Sequence, residues 1–128
     1  MNLLHAVLVT FLFGFLLGCT EEEKSIILEA ELVGEYQGVF ERGGSSSKVI
    51  LNLDRNQFSG SSDQLQFPTI CKGSYVLDGS TLTFQDECFY NGLYDSTLIL
   101  NGDWEISLEG DQLTMSGGER GMYRLNMH

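Results

Sequence analysis

Basic residues, histidine and proline are scarce in this 128-residue chain, and each scarcity removes a class of structure or function. Seven Lys and Arg stand against 18 Asp and Glu, a formal net charge of −11. A phosphate backbone would be repelled by such a surface, so no nucleic-acid partner is expected. Only two histidines occur, His5 and His128. The first lies in an apolar leader and the second is terminal, so dyads and triads that use a histidine base are hard to build. The three cysteines include no Cys-x-x-Cys pair, which argues against zinc or redox chemistry. No acidic segment has full EF-hand spacing. The expectation is therefore no enzyme, no metal and no cofactor. Proline occurs once, at Pro68, whereas glycine occurs 15 times. Abundant glycine with few helical periods reads as β structure, with glycine supplying the turns.

What the N-terminus does contain is an apolar run, residues 3–17, followed by Leu16-Leu17-Gly18-Cys19 and then Thr20-Glu21-Glu22-Glu23-Lys24. Every charged side chain lies after Gly18. The run is short for a bilayer span and suits a signal-peptide core, although alone it is also compatible with an uncleaved anchor. Its end resembles the bacterial lipobox. The resemblance implies cleavage after Gly18, leaving Cys19 as a lipidated first residue. Two or three acyl chains would anchor the protein stably, where one chain is marginal. The acidic residues after the cysteine resemble the surface-export signal of Bacteroidota lipoproteins. That implies an outer-membrane location, lipid-anchored and facing the cell surface. Read without the resemblance, they are a hydrophilic spacer repelled by anionic headgroups.

Beyond a short segment, Ser25 to Val33, that reads as one or two helical turns or a first extended strand, the pattern is β. "GEYQGVFER" places Tyr36 and Phe40 on one face. "GGSSS" reads as a loop. In "KVILNLD" Val49, Leu51 and Leu53 point one way, and a two-residue turn at Arg55-Asn56 sets Leu53 opposite Phe58. In "CKGSYVLDGSTLTFQDEC", Gly79-Ser80 fits a type II′ turn. That turn fixes the register, pairing Leu77 with Leu82, Tyr75 with Phe84 and Gly73 with Asp86. Continued outward, it sets Cys71 facing Cys88 on the same face, with Cα atoms about 4.5 Å apart, within reach of a disulfide. With Cys19 assigned to lipid, an even pair remains, as an exported protein requires. Closing the loop is worth about 3 kcal/mol in the chain-entropy model. Further on, Asn101-Gly102 is a strong hairpin signal, and Gly110-Asp111 pairs Leu108 with Leu113 and Ile106 with Met115. Ile99, Trp104, Ile106, Leu108, Leu113 and Met115 then form one apolar face. The expected fold is all-β: an antiparallel up-and-down meander of eight or nine strands closing into a small barrel, which removes exposed edges.

Three segments follow: 1–18 as signal peptide, 19–33 as a lipid-anchored acidic tether, and 34–128 as the barrel. "AELVGEYQGVF" is similar to the Gly-x-Trp opening of lipocalins, with Tyr36 in place of the tryptophan. The resemblance implies a lipocalin-like, calycin-type barrel, here much shorter, whose interior side chains can fill completely. Paired carboxylates occur at Asp86-Glu87, Asp103 with Glu105, and Glu109 with Asp111, mostly at turns where they are solvated. The candidate binding rim is "FYNGLYD": Phe89, Tyr90, Leu93 and Tyr94 are apolar for a connection. The alternative is that these rings fold back and plug the barrel. The expected function is a non-enzymatic envelope binding module for a small hydrophobic ligand or a partner protein. Alternatives are an inhibitor of an extracellular hydrolase such as lysozyme or a protease, and a structural subunit of an outer-membrane complex. "SGGERGMY" does not match the Ser-Gly-x-x-Tyr motif of lysozyme inhibitors.

Overall fold

The computed structural model describes residues 27–128; Cys19 and the leader lie outside them. A single helical turn, α1 (Glu29–Leu32), precedes eight strands: β1 (Gly34–Arg42), β2 (Ser45–Asp54), β3 (Gln57–Ser62), β4 (Lys72–Asp78), β5 (Thr81–Asp86), β6 (Gly102–Glu109), β7 (Gln112–Ser116) and β8 (Met122–Met127). Each strand pairs antiparallel with the next, and β8 pairs back with β1, so the meander closes into a barrel.

Turn chemistry sets the registers. Arg55 and Asn56 both hold positive φ, as a type I′ turn requires, and Leu53 pairs with Phe58. At Gly79-Ser80 only the glycine has positive φ, as in type II′, and Leu77–Leu82, Tyr75–Phe84 and Gly73–Asp86 pair as the sequence predicts. Leu108–Leu113 and Ile106–Met115 pair across Gly110-Asp111. The Cys71–Cys88 disulfide forms, with Cα atoms 6.4 Å apart. The separation exceeds the expected in-register value, and both cysteines lie outside the ends of β4 and β5.

Two local expectations are corrected. Asn101-Gly102 does not turn a hairpin; Gly102 opens β6 after a long connection, residues 87–101. Asn101 is instead held by tertiary bonds. Its side-chain oxygen accepts from the Asp86 N–H at 2.9 Å, and its carbonyl accepts from Trp104 Nε1 and Arg120 Nη1. The core residue there is Leu100, fully buried, whereas Ile99 makes only an isolated bridge to Thr69. The "GGSSS" loop shrinks to a Gly43-Gly44 turn with both glycines at positive φ, and the serines extend β2.

The interior is filled. Tyr36, Phe40, Leu51, Leu53, Tyr75, Leu82, Phe84, Trp104, Leu113, Met115, Tyr123 and Leu125 belong to one continuous buried cluster. Rings meet across intervening strands, Phe58 with Phe84 at 5.1 Å and Trp104 with Tyr123 at 5.2 Å. Strands alternate inward apolar with outward polar residues; in β1 the exposed residues are Glu35, Gln37 and Glu41. A transmembrane barrel has the opposite polarity, with an apolar band outside. Among the described residues no helix is long and apolar enough to cross a membrane.

The two barrel ends differ. At the proximal end, where residues 27–33 enter, three of the four two-residue hairpins turn. Leu32 of α1 is fully buried there, and the Tyr36 hydroxyl donates to its carbonyl at 2.8 Å. The distal end carries the Gly43-Gly44 turn, the connections 63–71 and 87–101, and the 3₁₀ turn Gly118–Arg120. It also carries the disulfide.

Candidate functional site at the distal rim

The distal end is plugged, but not by the segment the sequence offers as its alternative plug. Phe67 packs edge-on against Phe40 at 5.3 Å, and Ile70 and Leu100 join the same core. Ser47, the one buried polar side chain among the described residues, donates to the Phe67 carbonyl at 2.5 Å, and Ser62 donates to it at 3.0 Å. These bonds pin the 63–71 connection over the barrel mouth.

With the mouth already closed, the 87–101 connection is left to project. Phe89 is 101 % exposed and Leu93 98 % exposed, as unshielded as in an extended chain. Leu65, in the neighbouring connection, is 90 % exposed. Sequence reasoning missed Leu65; its signal was a lone aliphatic between two glutamines beside the only proline. Leu28 and Val76 are exposed elsewhere, but the three most exposed large apolar side chains all lie in the two distal connections, a grouping that makes this end the candidate interaction surface. The two tyrosines behave differently. Tyr90 and Tyr94 are half-buried, their rings tilted at 4.8 Å, and they line a cleft of about 290 Å³ with Leu65, Pro68, Thr69 and Ile70. Burial pushes the Tyr90 phenol above its ordinary pKa, and the adjacent Asp86 carboxylate adds to that by hydrogen bonding and by charge.

The projecting loop is braced at three points. The disulfide holds its start. Arg42 donates to Thr97 Oγ1 at 2.8 Å and approaches Asp95 at 3.9 Å. Asp95 in turn accepts from the Thr97 hydroxyl and N–H, which together with Arg42 hold its carboxyl below the usual range. Arg120 secures the loop's end through the Asn101 carbonyl while stacking 4.4 Å over the Trp104 ring. Exposed apolar groups on a fixed frame lose little conformational entropy on binding.

The carboxylate pairs do not face each other across a cleft. Asp103 accepts from Thr83 Oγ1 at 2.6 Å, and Glu105 accepts from Ser80 and Thr81, all on the outer wall. The histidine at the C-terminus lies at the proximal end, its N–H bonded to the Glu35 carbonyl. Cys71, Asp86 and Cys88 place their donor atoms within 4.8 Å of one another. Because the two sulfurs are bonded together, that cluster offers a single carboxylate and cannot hold a metal as thiolates would.

Comparison with protein-family models, with characterised proteins and with solved structures finds no match to this chain.

Proposed function

We propose that the protein is a non-enzymatic binding module of the bacterial envelope, a lipocalin-like barrel lipoprotein of the Bacteroidota type. It holds a partner protein on its distal rim. The observation that carries this reading is the placement of Leu65, Phe89 and Leu93, nearly fully exposed, at the end opposite the one where the tether enters. A barrel tethered through Cys19 would present that end away from the membrane. The packed core leaves a small hydrophobic ligand no interior volume, so the partner-protein branch of the expectation is the better supported. Closure by eight next-neighbour strands and the buried Tyr36 near the start of β1 support the lipocalin-like reading. The acidic residues after Cys19 support surface export.

A second reading is favoured by one specific feature. The rim loop is stapled by a disulfide and clasped by Arg42, and a rigid projecting loop with Phe89 exposed beside the staple and Leu93 exposed further along suits insertion into an enzyme cleft. Inhibition of an extracellular hydrolase is a special case of partner binding by the same surface.

Two experiments test the proposal. Radioactive palmitate should label the wild type and not Cys19→Ala; labelling of the variant overturns the lipid anchor. Detergent-solubilised membranes should yield a co-purifying protein with the wild type, and recovery should fall at least tenfold with the double variant Phe89→Ser, Leu93→Ser. Equal recovery would show that the rim is not the binding surface.

A further inference from the structure

We propose that Asn91-Gly92, in the projecting rim loop, is a self-modification site at which the protein converts its own asparagine to aspartate and isoaspartate. The reaction needs only water. The Gly92 backbone nitrogen loses its proton and attacks the carbonyl carbon of the Asn91 side chain. A C–N bond forms there, the bond to the side-chain nitrogen breaks, and ammonia leaves. The product is a cyclic succinimide, and water opens it at either of its carbonyls. One opening restores the ordinary backbone as aspartate. The other routes the main chain through the side-chain carbon, as isoaspartate. Glycine after the asparagine matters twice: no side chain crowds the attacking nitrogen, and its backbone freedom lets the ring close. The other described asparagines, Asn52, Asn56 and Asn126, precede larger residues.

The chain holds two Asn-Gly pairs, Asn91-Gly92 and Asn101-Gly102. Both asparagines are exposed, so access to water does not separate them. Restraint does. Asn91 and Gly92 lie outside every strand, and the Gly92 N–H bonds to no other backbone group among the described residues. A Cβ built at Gly92 would meet no atom within 4 Å, so nothing packs against the loop where it must turn. Asn101 carries the same chemistry under tension from three sides. Its side-chain oxygen accepts from the Asp86 N–H at 2.9 Å, its carbonyl accepts from Trp104 Nε1 at 3.2 Å and Arg120 Nη1 at 2.8 Å, and Gly102 pairs with Phe84 in the β5–β6 ladder. Ring closure there swings the amide onto the Gly102 nitrogen and turns the intervening peptide. That breaks the bond to Asp86 and pulls the carbonyl from Trp104 and Arg120, so it must wait for local opening. At Asn91 no such wait applies. Conversion puts a carboxylate and, in isoaspartate, one more main-chain carbon between Phe89 and Leu93. It thereby changes the charge and spacing of the two groups proposed to meet a partner; that consequence rests on the partner-binding reading, and the chemistry does not.

The test compares the two pairs in one molecule. The purified full-length protein is incubated in mildly alkaline buffer, with and without enough urea to unfold it, and digested at intervals. Fragment masses then locate each gain of one mass unit, the change from amide to carboxyl. In the folded protein residue 91 should convert at least about tenfold faster than residue 101, because only the second must open first. In urea, where sequence alone acts, the two rates should agree within about threefold. Asn91→Gln, whose longer side chain closes the ring far more slowly, should lose the gain at 91 and leave residue 101 unchanged. A ratio under about tenfold in the folded protein overturns the proposal, because the restraints on Asn101 would then not protect it. Conversion of residue 91 more than about tenfold slower in the folded protein than in urea overturns it too, because the loop would then hold Asn91 away from attack. A ratio that persists in urea would trace the difference to sequence neighbours and overturn the structural account. None of these results bears on co-purification through Phe89 and Leu93, so the partner-binding reading stands or falls separately.

Discussion

Gly38 faces inward between Tyr36 and Phe40, and a Cβ built there would sit 2.0 Å from the Arg124 carbonyl oxygen. Strand β1 must press against β8 at this point for the barrel to close. Gly38→Ala should therefore cost about 2 kcal/mol, read as a lower urea midpoint with unchanged slope. Phe89→Ser and Leu93→Ser remove far larger apolar groups yet should each shift stability by less than about 0.5 kcal/mol, because nothing packs on them. A tyrosine prediction belongs to the same scale. Burial, with smaller contributions from Tyr75 and Asp111, raises the Tyr36 phenol from 10.0 to about 12. Burial also raises Tyr75 and Tyr123. Because the folded pKa lies above the unfolded one, the neutral phenol's contribution is fully present below pH 10 and is lost as pH rises towards 12. Thermal midpoints should thus fall across that window, and Tyr36→Phe should flatten the fall. A midpoint independent of pH there would contradict the burial of the phenol. At this scale the sequence discriminated poorly between neighbours. It put Ile99 on the apolar face where Leu100 is the buried residue, because the face was extrapolated backwards through an Asn-Gly pair that does not turn.

The hairpins were the most legible elements, for a physical reason. A two-residue turn with glycine, or with Asn at positive φ, fixes the register of everything that follows it, so Gly79-Ser80 alone determined the pairs out to Gly73–Asp86 and brought Cys71 to Cys88. The 63–71 and 87–101 connections were illegible for the converse reason. No short-range pattern governs them; their shape follows from long-range bonds such as Ser47 to Phe67 and Arg42 to Thr97, between residues 20 and 55 apart in sequence. The same contrast predicts how the disulfide acts. Replacing Cys71 and Cys88 together by Ala should cost about 3 kcal/mol. The extra amide exchange should concentrate in 87–101 while β1, β2 and β8, which make no contact with the bridge through the ladder, keep their protection. Uniform loss of protection would mean that the disulfide holds the barrel and not the rim.

At the scale of the molecule, the sequence indicated a barrel and left open whether it was hollow. The packed cluster of aromatic and aliphatic side chains answers that, and it moves the proposed binding surface from the interior to one end. The asymmetry of the ends then gives the architecture its sense: three of the hairpins, the capping turn α1 and the entry of residues 27–33 at one end, braced apolar loops at the other. A fatty-acid or retinoid probe should show no saturable binding, since its entry would require displacing buried rings such as Trp104 and Tyr123. The most exposed apolar groups lie at the distal end, and they are the ones proposed to meet a partner. The central claim is therefore positional, and photo-crosslinking in intact cells tests it most directly. A photoreactive phenylalanine analogue is placed at position 89 on the rim, or at position 76, an exposed site on the outer wall. The account predicts one dominant protein adduct from position 89 and none from position 76. Adducts of equal yield from both positions, or from position 76 alone, would contradict it.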